Sequence, residues 1–327
     1  MNIILSLCSA ILLWSLYPLG VTLGLKSMSA FELILMAYVI ASIGATALGL
    51  FYLWKKKLFT KAIEIQKTLE KRAYIIIIAS GIVGVLCHGF FILALTLANK
   101  GGVSLLYESW PVLAIIATPF LMKKTWKEVS LKEFLVSIIA MIGVAIIIFS
   151  DENVGIKINE PKMLSDSMNF SAIGGYILAF AGAYMLALVV ITKGAYSEYF
   201  SDLKDDFGAT LISEMLSRII CVFVVLAIYI MMDIRIDQSH INWGISIFIG
   251  FVVFVLGGAF YTYALLLSTS PTIHVLNYFV PVLAVIWLWI AGETTVNGGL
   301  VIGGVIVTLC NIYLVYAGRR AKLAEAL

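Results

Sequence analysis

Pro111-Val112-Leu113-Ala114-Ile115-Ile116 returns 170 residues later as Pro281-Val282-Leu283-Ala284-Val285-Ile286. The same offset pairs Ala94-Leu95-Thr96-Leu97 with Ala264-Leu265-Leu266-Leu267, and nine positions between 94 and 121 are identical to their partners. Apolar segments share Leu, Ile, Val and Ala by chance, so part of this identity is compositional. A contiguous Pro-Val-Leu-Ala at matching points of two apolar runs is harder to dismiss.

Working outward from the motif, ten apolar runs lie near 3–25, 31–53, 73–98, 102–122, 131–149, 171–192, 207–232, 243–267, 271–291 and 296–317. Each is long enough to cross the hydrocarbon layer as a helix, and none alternates with period two as a barrel strand would. The composition agrees. Of 327 residues, 62% are hydrophobic and only 13% charged, at a mean hydropathy of +1.04. A soluble domain carries roughly 25% charged residues, so a water-soluble fold is excluded. The offset divides the runs five and five. With an odd number per half, the second half enters the membrane from the opposite side. The expected fold is therefore all-α, ten transmembrane helices forming two inverted five-helix repeats. Residues 1–150 and 171–317 form the halves, 151–170 a polar connecting loop and 318–327 a basic tail. Inverted halves around a central site are the architecture of secondary transporters, which work by alternating access.

Lysine and arginine orient the helices. With the N-terminus inside, sixteen basic residues fall in inner segments and five in outer loops, and Arg218 alone lies within a run. Both termini are expected in the cytoplasm, and the basic inner loops suit a prokaryotic inner membrane. The first run lacks a basic leader and a small-residue cleavage site, so it reads as a retained helix. Cys8, Cys87, Cys221 and Cys310 all lie in apolar runs, with no disulfide or metal spacing. No cofactor or metal is expected.

Proline inside a helix frees the carbonyl four residues earlier. Pro18, Pro111 and Pro281 would free those of Trp14, Tyr107 and Asn277, which in lipid must find neighbours, water or a ligand. Glu108 lies one turn before Pro111. A carboxylate within a span costs roughly 2.5–3.5 kcal/mol on insertion scales, which makes it a candidate for binding a substrate ammonium or carrying a proton. His88 is its candidate partner or a second proton carrier, although a lone histidine in a span more often bonds two helices. Glu214 and Arg218, spaced i, i+4, read as an internal ion pair steadying their helix. Glu32, His274 and Glu293 lie near span ends and read as structural. Trp14, Tyr17, Tyr107, Trp110, Tyr184, Tyr261 and Tyr278 lie within runs rather than at interfacial belts, and together they could line a pocket for a planar or cationic group. Gly20/Gly24 and Gly299/Gly303 are GxxxG pairs suited to close helix contacts, the latter also to a homodimer.

The stretches Leu95 to Phe149 and Leu265 to Val315 resemble the two EamA-type halves of the drug/metabolite transporter superfamily. Gly292-Glu293 resembles that family's Gly-Glu step, whereas the first half has Met122-Lys123 there. Tyr176-Ile177-Leu178-Ala179-Phe180-Ala181-Gly182-Ala183-Tyr184 is similar to helix 6 of the aromatic amino-acid exporter (YddG-like) branch. Trp110-Pro111 and Tyr278-Phe279-Val280-Pro281 point the same way. The branch implies an aromatic residue where Glu108 stands; its repeat partner is Tyr278.

Other classes fit less well. No HExxH, GxSxG or DDxxD supports a membrane enzyme, and no Gly-rich phosphate loop supports ATP-driven transport. Asp205-Asp206 beside Lys204 reads as a solvated face. A net charge of +3 is too small to imply nucleic acid. The expected partners are a small-molecule substrate, the lipid bilayer and, for coupling, protons. Amino acids are the expected substrate, with organic cations or drugs as the alternative.

Overall fold

The computed structural model describes residues 3–110, 113, 131–150, 170–203, 205–231, 238–267 and 279–325. Among these the protein is all-α. The helices are α1 (Ile3–Ser15), α2 (Tyr17–Gly24), α3 (Ala30–Lys55), α4 (Phe59–Thr68), α5 (Lys71–Leu97), α6 (Lys100–Tyr107), α7 (Leu131–Phe149), α8 (Phe170–Ser197) and α9 (Asp206–Met231). After them come α10 (Trp243–Ile247), a π-helical stretch (Phe248–Gly257), α11 (Gly258–Leu267), α12 (Phe279–Ile290) and α13 (Gly298–Glu325).

Six segments of the described residues are long and apolar enough to cross a membrane: Ile4–Gly24, Ala30–Lys55, Lys71–Leu97, Ser171–Val189, Phe207–Met231 and Trp243–Ala264. They fall on runs one, two, three, six, seven and eight. Shorter apolar helices at Leu135–Phe149, Phe279–Ile290 and Gly298–Tyr313 fall on runs five, nine and ten. Of run four, α6 and a few residues beyond it are described; Pro111 lies outside the described residues, as does most of the 151–170 loop. Helix α4 belongs to none of the ten runs. It is a short helix in the basic segment between α3 and α5, where the sequence reading expected only a loop.

Helix ends follow local chemistry. Ser29 and Glu32 close a reciprocal capping box at the start of α3, which is why a carboxylate is tolerated at this span end. Asp205, expected on a solvated face, accepts a hydrogen bond from the Gly208 N–H at 2.9 Å at the start of α9 and one from the Tyr52 hydroxyl, which is 3.2 Å from each carboxylate oxygen. The first run breaks at Leu16, and Pro18 takes the first turn of α2, where a missing N–H leaves no bond unmade. Pro281 is the third residue of the described part of α12, and residues 268–278 before it lie outside the described residues.

The chain forms two compact units, and each draws on both halves of the sequence. The first comprises Met1–Gly89 with Leu188–Thr269, the second Phe90–Ala187 with Ser270–Leu327. In the first, α3 packs on α9 and on the π-helical stretch, and α1 packs on α11. Beneath them Leu53, Ile77, Phe200, Leu203 and Ile212 form a buried apolar cluster. In the second, α7 packs along α13 and α6 against α12. The α7–α13 contact explains the Gly299/Gly303 pair. A Cβ on Gly303 would stand 2.5 Å from the Gly143 carbonyl oxygen, and one on Gly299 would collide with Ser150. The small-residue stripe is thus used within the chain.

Candidate functional site

In the first unit, polar groups collect around α9. Arg218 is 8% exposed, and its Nε meets Oε2 of Glu214 at 3.3 Å. The expected i, i+4 pair therefore forms, but its surroundings are more than structural filler. The guanidinium lies 4.9 Å from the Phe254 ring centre and 5.8 Å from that of Tyr38. Both residues of the pair line a narrow, partly open cleft with Phe207, Thr210, Phe254 and Thr262, which as it stands has room for about one water molecule.

Two residues expected at the site stand directly behind this cation. His88 Nδ1 lies 2.9 Å from the Tyr38 hydroxyl and 3.0 Å from the Gly84 carbonyl oxygen, while the Tyr38 hydroxyl donates to that same carbonyl at 2.6 Å. The His88 ring is 4.6 Å from Phe254 and 5.7 Å from Tyr17, and Tyr17 is 5.4 Å from Phe254. Tyr17, Tyr38, His88 and Phe254 so form one aromatic cluster with Arg218 against it. Trp14 and Tyr261 stack on each other at 4.7 Å.

The π-helical stretch decides where Phe254 points. A hydrogen-bond register of i to i+5 widens the helix and changes the angle between successive side chains, and such stretches recur at functional sites. Phe248–Gly257 carries only Phe, Ile, Gly, Val and Leu, so no charge or turn residue in the sequence signals it. Arg218 was legible as an isolated charge, yet reading it as half of a self-contained pair missed the aromatic faces that hold it.

In the second unit, α6 stops at Tyr107, one turn before Pro111, and Glu108 and Ser109 form a turn. The Asn311 amide donates to the Glu108 carbonyl at 3.4 Å. The Trp110 side chain hydrogen-bonds the Glu108 side chain. Trp110 packs with Leu113, Phe180, Ala183 and Ala187. Tyr107 is buried against Phe91 at 4.3 Å between ring centres, and Tyr184 is 37% exposed. Asn277, Tyr278 and His274 lie outside the described residues. The candidate residues thus divide: Trp14, Tyr17, His88 and Tyr261 belong to the first unit, and Tyr107, Glu108, Trp110 and Tyr184 to the second. Among the described residues no group of His, Cys, Asp and Glu could hold a metal ion.

At the end of α12, Gly292 takes φ +71°. Its N–H bonds the Trp289 carbonyl and that of Glu293 bonds Leu288, the pattern that ends a helix on a left-handed glycine. The turn delivers Glu293 to Lys100 at 2.6 Å. Thr294 adds a bond to Asn99 Oδ1 at 2.9 Å and receives one from the Gly101 N–H at 3.1 Å. The Gly-Glu step is a helix stop and supplies the acceptor of an ion pair in one.

Residues 1–149 match the model of the EamA-like transporter family. No curated protein matches the chain. A solved structure described only as the crystal structure of a protein is similar at a TM-score of 0.55 and 20% identity, over 97% of this chain and 97% of that one; at that identity the likeness concerns the fold alone. With its apolar helices and this family match, the chain is a multi-pass membrane protein, and the match points to a transporter of small molecules.

Proposed function

We propose that this protein is a secondary active transporter that exports small amphipathic metabolites, amino acids foremost, by alternating access around a midplane cavity. The observation that carries the reading is the placing of an Arg–Glu pair and four aromatic or imidazole rings inside apolar helices of a chain whose first 149 residues match a transporter family. Hydrocarbon penalises such groups unless a cavity or ligand uses them. The 170-residue offset supports two inverted five-helix repeats. So does packing: α3 pairs with α9 and α7 with α13, each close to its offset partner. Sixteen inner against five outer basic residues support cytoplasmic termini in an inner membrane. The YddG-like stretches support an aromatic amino acid as substrate.

The second reading, export of organic cations or drugs, is favoured by Glu108, a carboxylate hydrogen-bonded to Trp110 in the break of helix four. Proteoliposomes separate the two. Uptake of labelled phenylalanine or tryptophan, with none of tetraphenylphosphonium or another quaternary cation, is the expected result. The reverse pattern establishes the second reading and ends the first.

A further inference from the structure

Arg218 presents a problem that the ion pair does not solve. Its side chain is nine-tenths buried within a helix able to cross a membrane. An arginine kept only to neutralise a neighbouring carboxylate closes on it as a two-pronged fork, the strongest geometry available to the pair. Here the contact with Glu214 is single, through Nε at 3.3 Å. Among the described residues no other acceptor meets the guanidinium. Phe254 and Tyr38 hold the cation, and Tyr38 is itself anchored to Gly84 and His88. The charge is therefore positioned by aromatic contact, and Arg218 lines the cleft. Glu214, one turn earlier on α9, lines that same cleft.

We propose that Arg218 and Glu214 form a recognition site for a zwitterion with an apolar body. Arg218 receives the carboxylate in a two-pronged bond, Glu214 receives the ammonium, and Phe207 and Phe254 pack the apolar part. The cleft as it stands has room for about one water molecule, so the Glu214–Arg218 contact opens and the Phe207 and Phe254 rings part as the ligand takes one partner each. The proposal rests on the transport reading above and names its substrate chemistry: a molecule with both charges binds, and one lacking either charge leaves a buried ion unmatched.

The test uses the full chain in nanodiscs and three phenyl probes: L-phenylalanine, phenethylamine and 3-phenylpropionate. The wild type is expected to bind phenylalanine at least about tenfold tighter than either analogue, the scale of one charged hydrogen bond. R218Q is expected to lose about tenfold or more for phenylalanine and phenylpropionate while holding phenethylamine within about twofold; E214Q shows the mirror pattern. R218K, which keeps the charge without the fork, restores part of the loss. Because a lone buried charge can unfold the chain, E214M/R218M removes both together, a change that buried pairs tolerate; it is expected to fold and to lose the preference for phenylalanine. A wild type that ignores the missing charge, or variants that weaken all three probes equally, overturns the proposal. Proteoliposome uptake distinguishes the two claims. Selective binding without transport overturns the transport reading and leaves this site standing. Phenylalanine transport indifferent to R218Q and E214M/R218M overturns this site and leaves transport standing.

Discussion

The Tyr38 hydroxyl donates to the Gly84 carbonyl at 2.6 Å, and His88 Nδ1 lies 2.9 Å from the same hydroxyl. His88 thereby braces the tyrosine beside Arg218. The contact ties α5, which carries His88, to α3, which carries Tyr38. Tyr38→Phe is expected to lower stability by about 1–2 kcal/mol, because it strips a buried acceptor and donor at once; thermal unfolding in detergent, followed by tryptophan fluorescence, measures it. Glu108 is a different kind of residue. It sits in the turn that ends α6, bonded to Trp110 and with its carbonyl held by Asn311. Glu108→Gln is expected to abolish or uncouple transport driven by a pH gradient, and wild-type flux in that variant removes Glu108 from the coupling path. Neither residue's partner was legible in the sequence: Tyr38 and His88 are fifty positions apart, and Asn311 is two hundred and three from Glu108.

Helices end here by rules that a sequence partly displays. Gly292 could be read as a stop, and its φ of +71° with open space around the missing Cβ makes the cost of a side chain purely conformational. Gly292→Ala is expected to destabilise by about 1 kcal/mol, with Lys100→Ala additive to it only if the turn still delivers Glu293. The same kind of stop ends α3, where Lys57 stands at φ 57° with Leu58 bonding back to Leu53. A lysine pays for that conformation and a glycine does not, so Lys57→Gly is expected to gain about 1 kcal/mol in a denaturation series. Packing between helices was less readable. Gly299/Gly303 spelled a close contact, but whether a second copy or the chain's own α7 fills it is a question of topology. Gly303→Ala is expected to cost about 1–3 kcal/mol by overpacking against Gly143 and Ile147. Gly174→Ala, with nothing within 4 Å of the added atom, is expected to be neutral or to stabilise by about 0.5–1 kcal/mol. Unfolding midpoints of the pair separate crowding from helix propensity.

At the scale of the molecule, charge and hydropathy carry the topology. Lysine and arginine resist translocation, so the sixteen-to-five asymmetry is expected to orient the chain with its termini in the cytoplasm, independently of how the helices later pack. A cysteine placed at Ala326 in a cysteine-free background is expected to resist membrane-impermeant maleimide in intact cells, whereas one at Asn153 is expected to react; the opposite pattern inverts the topology. The compact units obey another logic. The division falls inside α5 and α8, and the helices that pack together, α3 with α9 and α7 with α13, come from opposite halves of the sequence.

Composition, run length and the repeated Pro-Val-Leu-Ala were enough to determine that this chain is helical, lives in a membrane and has an internal offset. Those properties depend on solvent transfer and local periodicity, which are additive along the chain. The tertiary structure alone decided that Arg218 rests against Phe254 and Tyr38, that His88 braces the tyrosine, and that the helix carrying Phe254 widens for ten residues. Each of these depends on which face of one helix meets another, and hydrophobic faces of Leu, Ile, Val and Phe are too alike for a sequence to specify the match.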